Sequence, residues 1–382
     1  MPAITDVNDL QDMENDLAGD YYLANDIDAS ATVGWNGGAG FVPIGQGAPY
    51  FTGTFDMKGH TITGLFINRP GTDYVGLFGI TRGASIRDGK LEDIDITGDD
   101  YVGGMVGFSY DGTEFTNCQV SGEVNGDFHL GGFVGWAGAT AVTDTFTRCS
   151  SDVDVTGPGS DDVGGFAGEA SFADFSECYS MGNVSNGWGN AGGFISDVYG
   201  ANAVSTFTNC YARGNVHAAG SAGGFICVEA VWGTGSVIFT NCYSTGAVTS
   251  DIADLGGFAL GDSGATTYND CFWDTETSGT AVSAGGTGKT TAQMKNRSTF
   301  TDAGWDFIII WAINGITNDG YPFFWAMPPE PPPDAPRRTV AVQDKISLEC
   351  IRNVEMAAGG RFYINEEGKA VYRSRYARHP PA

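Results

Sequence analysis

The sequence predicts an all-β protein built as a parallel β-solenoid. Two unlike phrases recur with one loose period, glycine is abundant without signs of disorder, and each repeat alternates like short strands. The glycine phrase occurs as Gly76-Leu77-Phe78-Gly79, Gly104-Met105-Val106-Gly107, Gly132-Phe133-Val134-Gly135, Gly165-Phe166-Ala167-Gly168, Gly193-Phe194-Ile195-Ser196, Gly224-Phe225-Ile226-Cys227 and Gly257-Phe258-Ala259-Leu260. Its start-to-start spacings are 28, 28, 33, 28, 31 and 33 residues. The cysteine phrase recurs at Cys118, Cys149, Cys178, Cys210, Cys242 and Cys271, spaced 31, 29, 32, 32 and 29. A shared period of about 30 residues marks a solenoid or a propeller. A propeller blade needs about four strands and a closed ring. Three short strands per repeat and glycines placed for close stacking favour the solenoid. At about 4.8 Å per coil, seven coils make a stack about 34 Å long.

Residues 1–60 read as an N-terminal cap with the first coils. Thr5 is placed to cap a helix in which Val7, Leu10, Met13 and Leu17 keep helical spacing, and Gly19 ends it. Residues 61–275 are the repeats, each one coil of three strands. In the Gly-Phe strand the glycine lets coils approach and the Phe fills the interior. The second strand carries Phe115, Phe146, Phe175, Phe207 and Phe239. Asn117, Asn209 and Asn241 follow where the chain must bend, because Asn tolerates the left-handed conformation. The third strand starts at the cysteine. Cys242, Ser244, Gly246 and Val248 share one parity and are small or apolar, so that parity faces inward.

Residues 276–327 are bulky and aromatic, as a C-terminal cap should be, with a helix expected over 290–295. Residues 328–336 form a proline-rich linker of about 28 Å. Residues 337–382 read as a small α+β tail, an amphipathic helix over 342–357 followed by a β-hairpin. Gly285-Gly286-Thr287-Gly288-Lys289-Thr290 looks like a phosphate loop, but the full motif needs glycine where Ser283 stands, so a helix-capping turn is expected.

Composition narrows the partners. The 382 residues carry 46 acidic and 19 basic side chains, a net charge of −27. Residues 337–382 hold nine basic and five acidic residues, a net of +4. The remaining ten basic and forty-one acidic residues leave the body at −31. Such charge argues against nucleic acid or an anionic membrane as the main partner. No run approaches 18 apolar residues, so no membrane insertion is expected. The segment beginning Met1-Pro2-Ala3-Ile4 has neither a basic nor an apolar leader region, so no signal peptide is visible.

The Gly-Leu-Phe-Gly and Gly-Phe-Val-Gly phrases, alternating with Asn-Cys-Tyr-Ser-Thr-Gly, resemble the GLUG repeat family over about residues 4–327. The opening at 20–28, 41–45 and 55–62 and the close at 287–295 and 304–307 are similar to that family's own. The resemblance implies a right-handed β-helix in large secreted bacterial surface proteins, adhesins among them. It brings no catalytic motif, so no active-site residue carries over. The tail around Gly359-Gly360-Arg361-Phe362-Tyr363-Ile364 is similar to segments of tail proteins in long-tailed bacteriophages.

Candidate chemistry is sparse. The six ladder cysteines lack the close pairs of a metal site, and their parallel Cβ vectors oppose disulfides, so a buried ladder of free thiols is expected. Tyr179, Tyr211 and Tyr243 follow those cysteines and are expected to face outward. They are glycan-binding candidates, against the alternative of a stack that only stabilises the sheet. Trp136, Trp188 and Trp232 are placed in loops after the Gly-Phe strand, as a recognition rim or as loop anchors. Paired acids such as Asp99-Asp100 and Asp161-Asp162 read as loop decoration. The four histidines keep no spacing for nucleophilic catalysis. No cofactor or metal is expected.

The resulting expectation is a non-enzymatic structural or attachment element of a virion tail or another extracellular particle. The tail would dock to other subunits, and the solenoid would meet a cell-surface glycan or protein receptor. A secreted bacterial adhesin and a polysaccharide-degrading β-helix are the alternatives.

Overall fold

A computed structural model describes residues 1–138, 142–159, 161–201, 204–232, 235–252, 254–261, 264–327, 329, 361–364 and 370–373, with backbone alone at 200–201, 229–232, 361–364 and 370–373. The chain forms two compact units, Met1–Thr291 and Ala292–Ala382.

The first unit is the β-solenoid. Among the described residues its strands form one 22-stranded sheet and two six-stranded sheets. One six-stranded sheet stacks the Gly-Phe strands, from Phe78–Arg82 to Ile226–Trp232. The other stacks the short strands before each double glycine, from Asp100–Gly103 to Leu255–Gly256. Strand pairing in all three sheets is parallel and follows the repeat register, with Phe207 on Phe239 and Tyr211 on Tyr243.

Two ladders of phenylalanine fill the coils. Phe115, Phe146, Phe175, Phe207 and Phe239 stack with ring centroids 4.7–5.0 Å apart. Phe133, Phe166, Phe194, Phe225 and Phe258 stack at 4.8–4.9 Å. The ladders meet edge to face, as Phe175 and Phe194 do at 89°. Each ring thus has offset-stacked neighbours along the axis and edge contacts across it, the two arrangements aromatic quadrupoles favour. The expected third strand is broken at its glycine, as at the bend between Tyr211–Ala212 and Val216–Ala218, where a Cβ on Gly214 would overlap the Gly182 carbonyl oxygen.

The corner before each cysteine is left-handed, with φ of 54° at Asn117, 54° at Asn209 and 55° at Asn241. Arg148 and Glu177 take the same conformation at their corners. All six ladder cysteines are buried free thiols. The Cys178 and Cys242 Sγ atoms donate to the carbonyls of Phe146 and Phe207, each at 3.3 Å.

Several expectations need correction. The N-cap of helix Val7–Asp12 is Asp6, not Thr5; the Asp6 carboxylate accepts from the Asn8 and Asp9 amides at 2.8 and 3.0 Å. Thr5 instead donates its amide to Asp9. Val7, Leu10, Met13 and Leu17 are buried as their spacing implied. Thr287–Lys289 is a strand paired to Phe272–Asp274, not a capping turn, because the chain adds one more layer to the sheet there. The helix after it spans Thr291–Met294.

In the second unit Trp311, fully buried, lies 4.6 Å from the Trp305 ring and 4.5 Å from Phe324. Trp311–Ala312 pairs antiparallel with Phe323–Phe324. Arg361–Ile364 and Ala370–Arg373 pair antiparallel, as the hairpin signal implied. The expected helix over 342–357 and, apart from Pro329, the linker over 328–336 lie outside the described residues.

Candidate functional site

The tyrosine file is buried. Tyr179, Tyr211 and Tyr243 are 5%, 0% and 0% exposed, so the outward exposure expected of them is corrected. The cause is in-register stacking: Tyr179 and Tyr211 rings lie 4.8 Å apart at 6°, Tyr211 and Tyr243 5.0 Å apart at 9°. Each ring covers its neighbour's face.

The tryptophans separate. Trp136 lies inside strand Val134–Gly138 rather than in a loop, because the Gly-Phe strand runs on for five residues. The Trp232 side chain lies outside the described residues. Trp188 is 65% exposed, in the turn between Val184–Asn186 and Asn190–Gly192, ahead of the Gly-Phe strand. Buried Asn186 builds that turn. Its carboxamide donates to the Asn190 carbonyl at 2.7 Å and accepts from the amides of Trp188 and Gly189 at 3.0 and 3.1 Å. Trp188 is therefore held out by a fixed backbone.

Ile252, 65% exposed, occupies the equivalent turn two coils on, and Phe128, 37% exposed, opens the strand Phe128–Gly131 two coils before, one register position from Trp188. The parallel register Leu130 to Val163, Val163 to Ala191, Ala191 to Ala222 and Ala222 to Leu255 sets that alignment. Two coils are about 9.6 Å, so three apolar side chains mark one edge at near-equal steps.

Beside this edge, at the bend between the two six-stranded sheets, a partly exposed aromatic file ends on ionisable groups. Tyr74, Tyr101 and His129 stack at 5.0 and 4.7 Å. Phe108 and Trp136 stack at 4.9 Å, and Trp136 lies 5.6 Å from Tyr101. Tyr74, Tyr101 and His129 all hold φ between 50° and 59°. Left-handed backbone costs an ordinary residue about 1–2 kcal/mol, so the file stores strain.

In the next coil Asp162 aligns with His129, and Glu169 with Trp136. His129 Nε2 lies 3.2 Å from Glu169 Oε2, and the imidazole N–H donates to that carboxylate. One donor atom each from His129, Asp162 and Glu169 fall within 4.8 Å of one another. Ser196 Oγ donates to Asp162 at 3.0 Å. Burial pushes Asp162 up to about 6, and it also raises Asp100. For His129 burial alone would lower the value, but the Glu169 bond and the surrounding acids hold it above the usual imidazole range. His129 Nδ1 and Asp100 Oδ1 are buried without a hydrogen-bond partner among the described residues.

Sequence reasoning passed over this cluster because His129, Asp162 and Glu169 are far apart in the chain. The signal was the repeat phase. Tyr101, His129 and Asp162 each stand two residues before the first glycine of a pair, and Phe108, Trp136 and Glu169 each stand five after it.

No family model matches the chain. A stretch of 174 residues, 44% of the chain, is 38% identical to halomucin from Haloquadratum walsbyi. A stretch of 73 residues, 19% of the chain, is 44% identical to a putative Gly-rich membrane protein from Evansella cellulosilytica. The matches span 2% and 8% of those two proteins. A solved IgA1 protease structure is similar over 70% of this chain and 21% of its own, with a TM-score of 0.48 and 16% identity. The expectation of a non-enzymatic chain is corrected by this finding, since an enzyme stands among the solved structures that resemble it. The physical reason is that coil stacking gathers histidine and carboxylates some thirty residues apart, so missing local motifs exclude no chemistry. At that TM-score the likeness carries no argument about which activity. Among the described residues no helix is long and apolar enough to cross a membrane.

Proposed function

We propose that this chain is an attachment segment of an extracellular or cell-surface protein, and that it engages a surface glycan or protein through the edge marked by Phe128, Trp188 and Ile252. The observation that carries the reading is Trp188, 65% exposed on a turn fixed by buried Asn186. An exposed tryptophan on preorganised backbone supplies contact area at little entropic cost. The matches to halomucin and to a putative membrane protein support a surface location, as does the strongly acidic body. The repeat and the contrast between the acidic body and the basic segment 337–382 support a finer placing on a virion tail or comparable particle.

The test is binding of the labelled full chain to a glycan array and to intact cells of the source organism. Trp188→Ala should weaken whatever binding is found by about tenfold or more, as for an interface hot spot. Its melting temperature should stay within a degree or two of wild type. Undiminished binding by the variant would refute the edge, and a chain inaccessible to protease on intact cells would refute the location.

A further inference from the structure

We propose that His129, Asp162 and Glu169 form a binding site for a divalent transition-metal ion of the zinc class. The site adjoins the edge at Phe128, the residue before His129, but does not depend on the edge's role in attachment.

The donors come from three strands: His129 from Phe128–Gly131, Asp162 from Asp162–Gly164 and Glu169 from Ala167–Ser171. Parallel register brings them together, and stacking keeps them there. A tetrahedral ion with bonds of 2.0–2.2 Å needs donors about 3.4 Å apart. His129 Nε2 and Glu169 Oε2 stand at 3.2 Å, one edge of that tetrahedron. Asp162 completes a set lying within 4.8 Å, so a small side-chain rotation closes it.

Charge gives the second argument. After burial and the Ser196 hydrogen bond, the charges acting on Asp162 are His129, Glu169 and Asp161. Those acting most strongly on Asp100 are His129, Asp73, Asp99 and Asp127. One imidazole thus faces several carboxylates in a partly buried place, and Asp100 Oδ1 and His129 Nδ1 lack a partner there among the described residues. Carboxylates gathered around one half-buried imidazole favour a counterion, and a divalent cation supplies it at one point. An imidazole donor selects zinc, nickel or copper over calcium, which takes six to eight oxygens. On binding, the ion takes the place of the proton that bridges His129 and Glu169, and that proton passes to solvent.

The aromatic file makes the site readable. The Trp136 ring lies 6.2 Å from the His129 ring, well within reach of paramagnetic quenching. The experiment titrates the chelator-stripped full chain with Zn²⁺ by calorimetry and with Ni²⁺ by tryptophan emission. One saturable Zn²⁺ site is expected, weakened about tenfold or more by His129→Ala and by Glu169→Gln. Ni²⁺ should quench part of the emission, and Trp136→Phe should remove that part while leaving Zn²⁺ affinity in place. Glu169→Gln keeps shape and decides the matter if His129→Ala fails to fold. Absence of saturable Zn²⁺ binding, affinity unchanged in the variants, or quenching that survives Trp136→Phe would each overturn the proposal.

Discussion

Asp144 shows how one buried carboxyl ties stability to pH. It is fully buried and accepts hydrogen bonds from Ser109 Oγ and from the amides of Gly112 and Thr113, each at 2.9 Å. Burial pushes it up to about 7 although these donors act to lower it, and nearby Asp111 adds to the rise. A carboxyl raised in the folded state binds its proton more tightly there than in the unfolded chain. Its stabilisation is therefore complete below about pH 4 and is lost as pH climbs towards 7. From 3.8 to about 7 the effect is at most about 4 kcal/mol. Asp162, raised to about 6, acts in the same sense. The solenoid should resist urea better at pH 5 than at pH 8. Asp144→Asn keeps the acceptor oxygen and should flatten much of that difference. An unchanged difference in the variant would remove Asp144 as its source.

At the scale of the element, the corner before each cysteine was legible where Asn occupied it and illegible where Arg148 or Glu177 did. Asn117, Asn209 and Asn241 advertise a left-handed bend through their side-chain chemistry. Arg148 and Glu177 are forced into the same bend by the coils above and below, a tertiary override of local preference. Asn209→Val should therefore destabilise the fold by about 1–2 kcal/mol, since a β-branched residue resists positive φ. Asn209→Gly should cost less because glycine adopts that backbone freely. Urea midpoints of the two variants test the order, and a valine variant as stable as the glycine one would contradict it. The inward parity of the third strand was legible for the same local reason. The fate of its outward tyrosines was not, because in-register stacking and the surroundings, rather than parity, buried them.

At the scale of the whole molecule, the thiol ladder is sealed only because successive coils stack without a break. Burial pushes the Cys178 and Cys210 thiols well up, which suppresses the reactive thiolate. The seven described cysteines are all buried and free. They should stay silent to a thiol reagent in the native protein, and all eight in the chain should titrate after unfolding. Fewer than five free thiols after unfolding would mean covalent pairing. Rapid native reaction would mean that the coils part readily.

The sequence by itself determined the period, the parallel stack, the two phenylalanine ladders and the inward face of the cysteine strand. These follow from short-range rules of side-chain alternation, glycine close approach and corner chemistry, repeated about every thirty residues. Only the tertiary structure decided which outward residues meet. It buried Tyr179, Tyr211 and Tyr243, held Trp188 in the open, and placed Glu169 and Asp162 against His129. The reason is physical: an outward side chain's surroundings depend on the register of the coils stacked above and below it. Irregular spacings of 28 to 33 residues hide that register until the chain is folded.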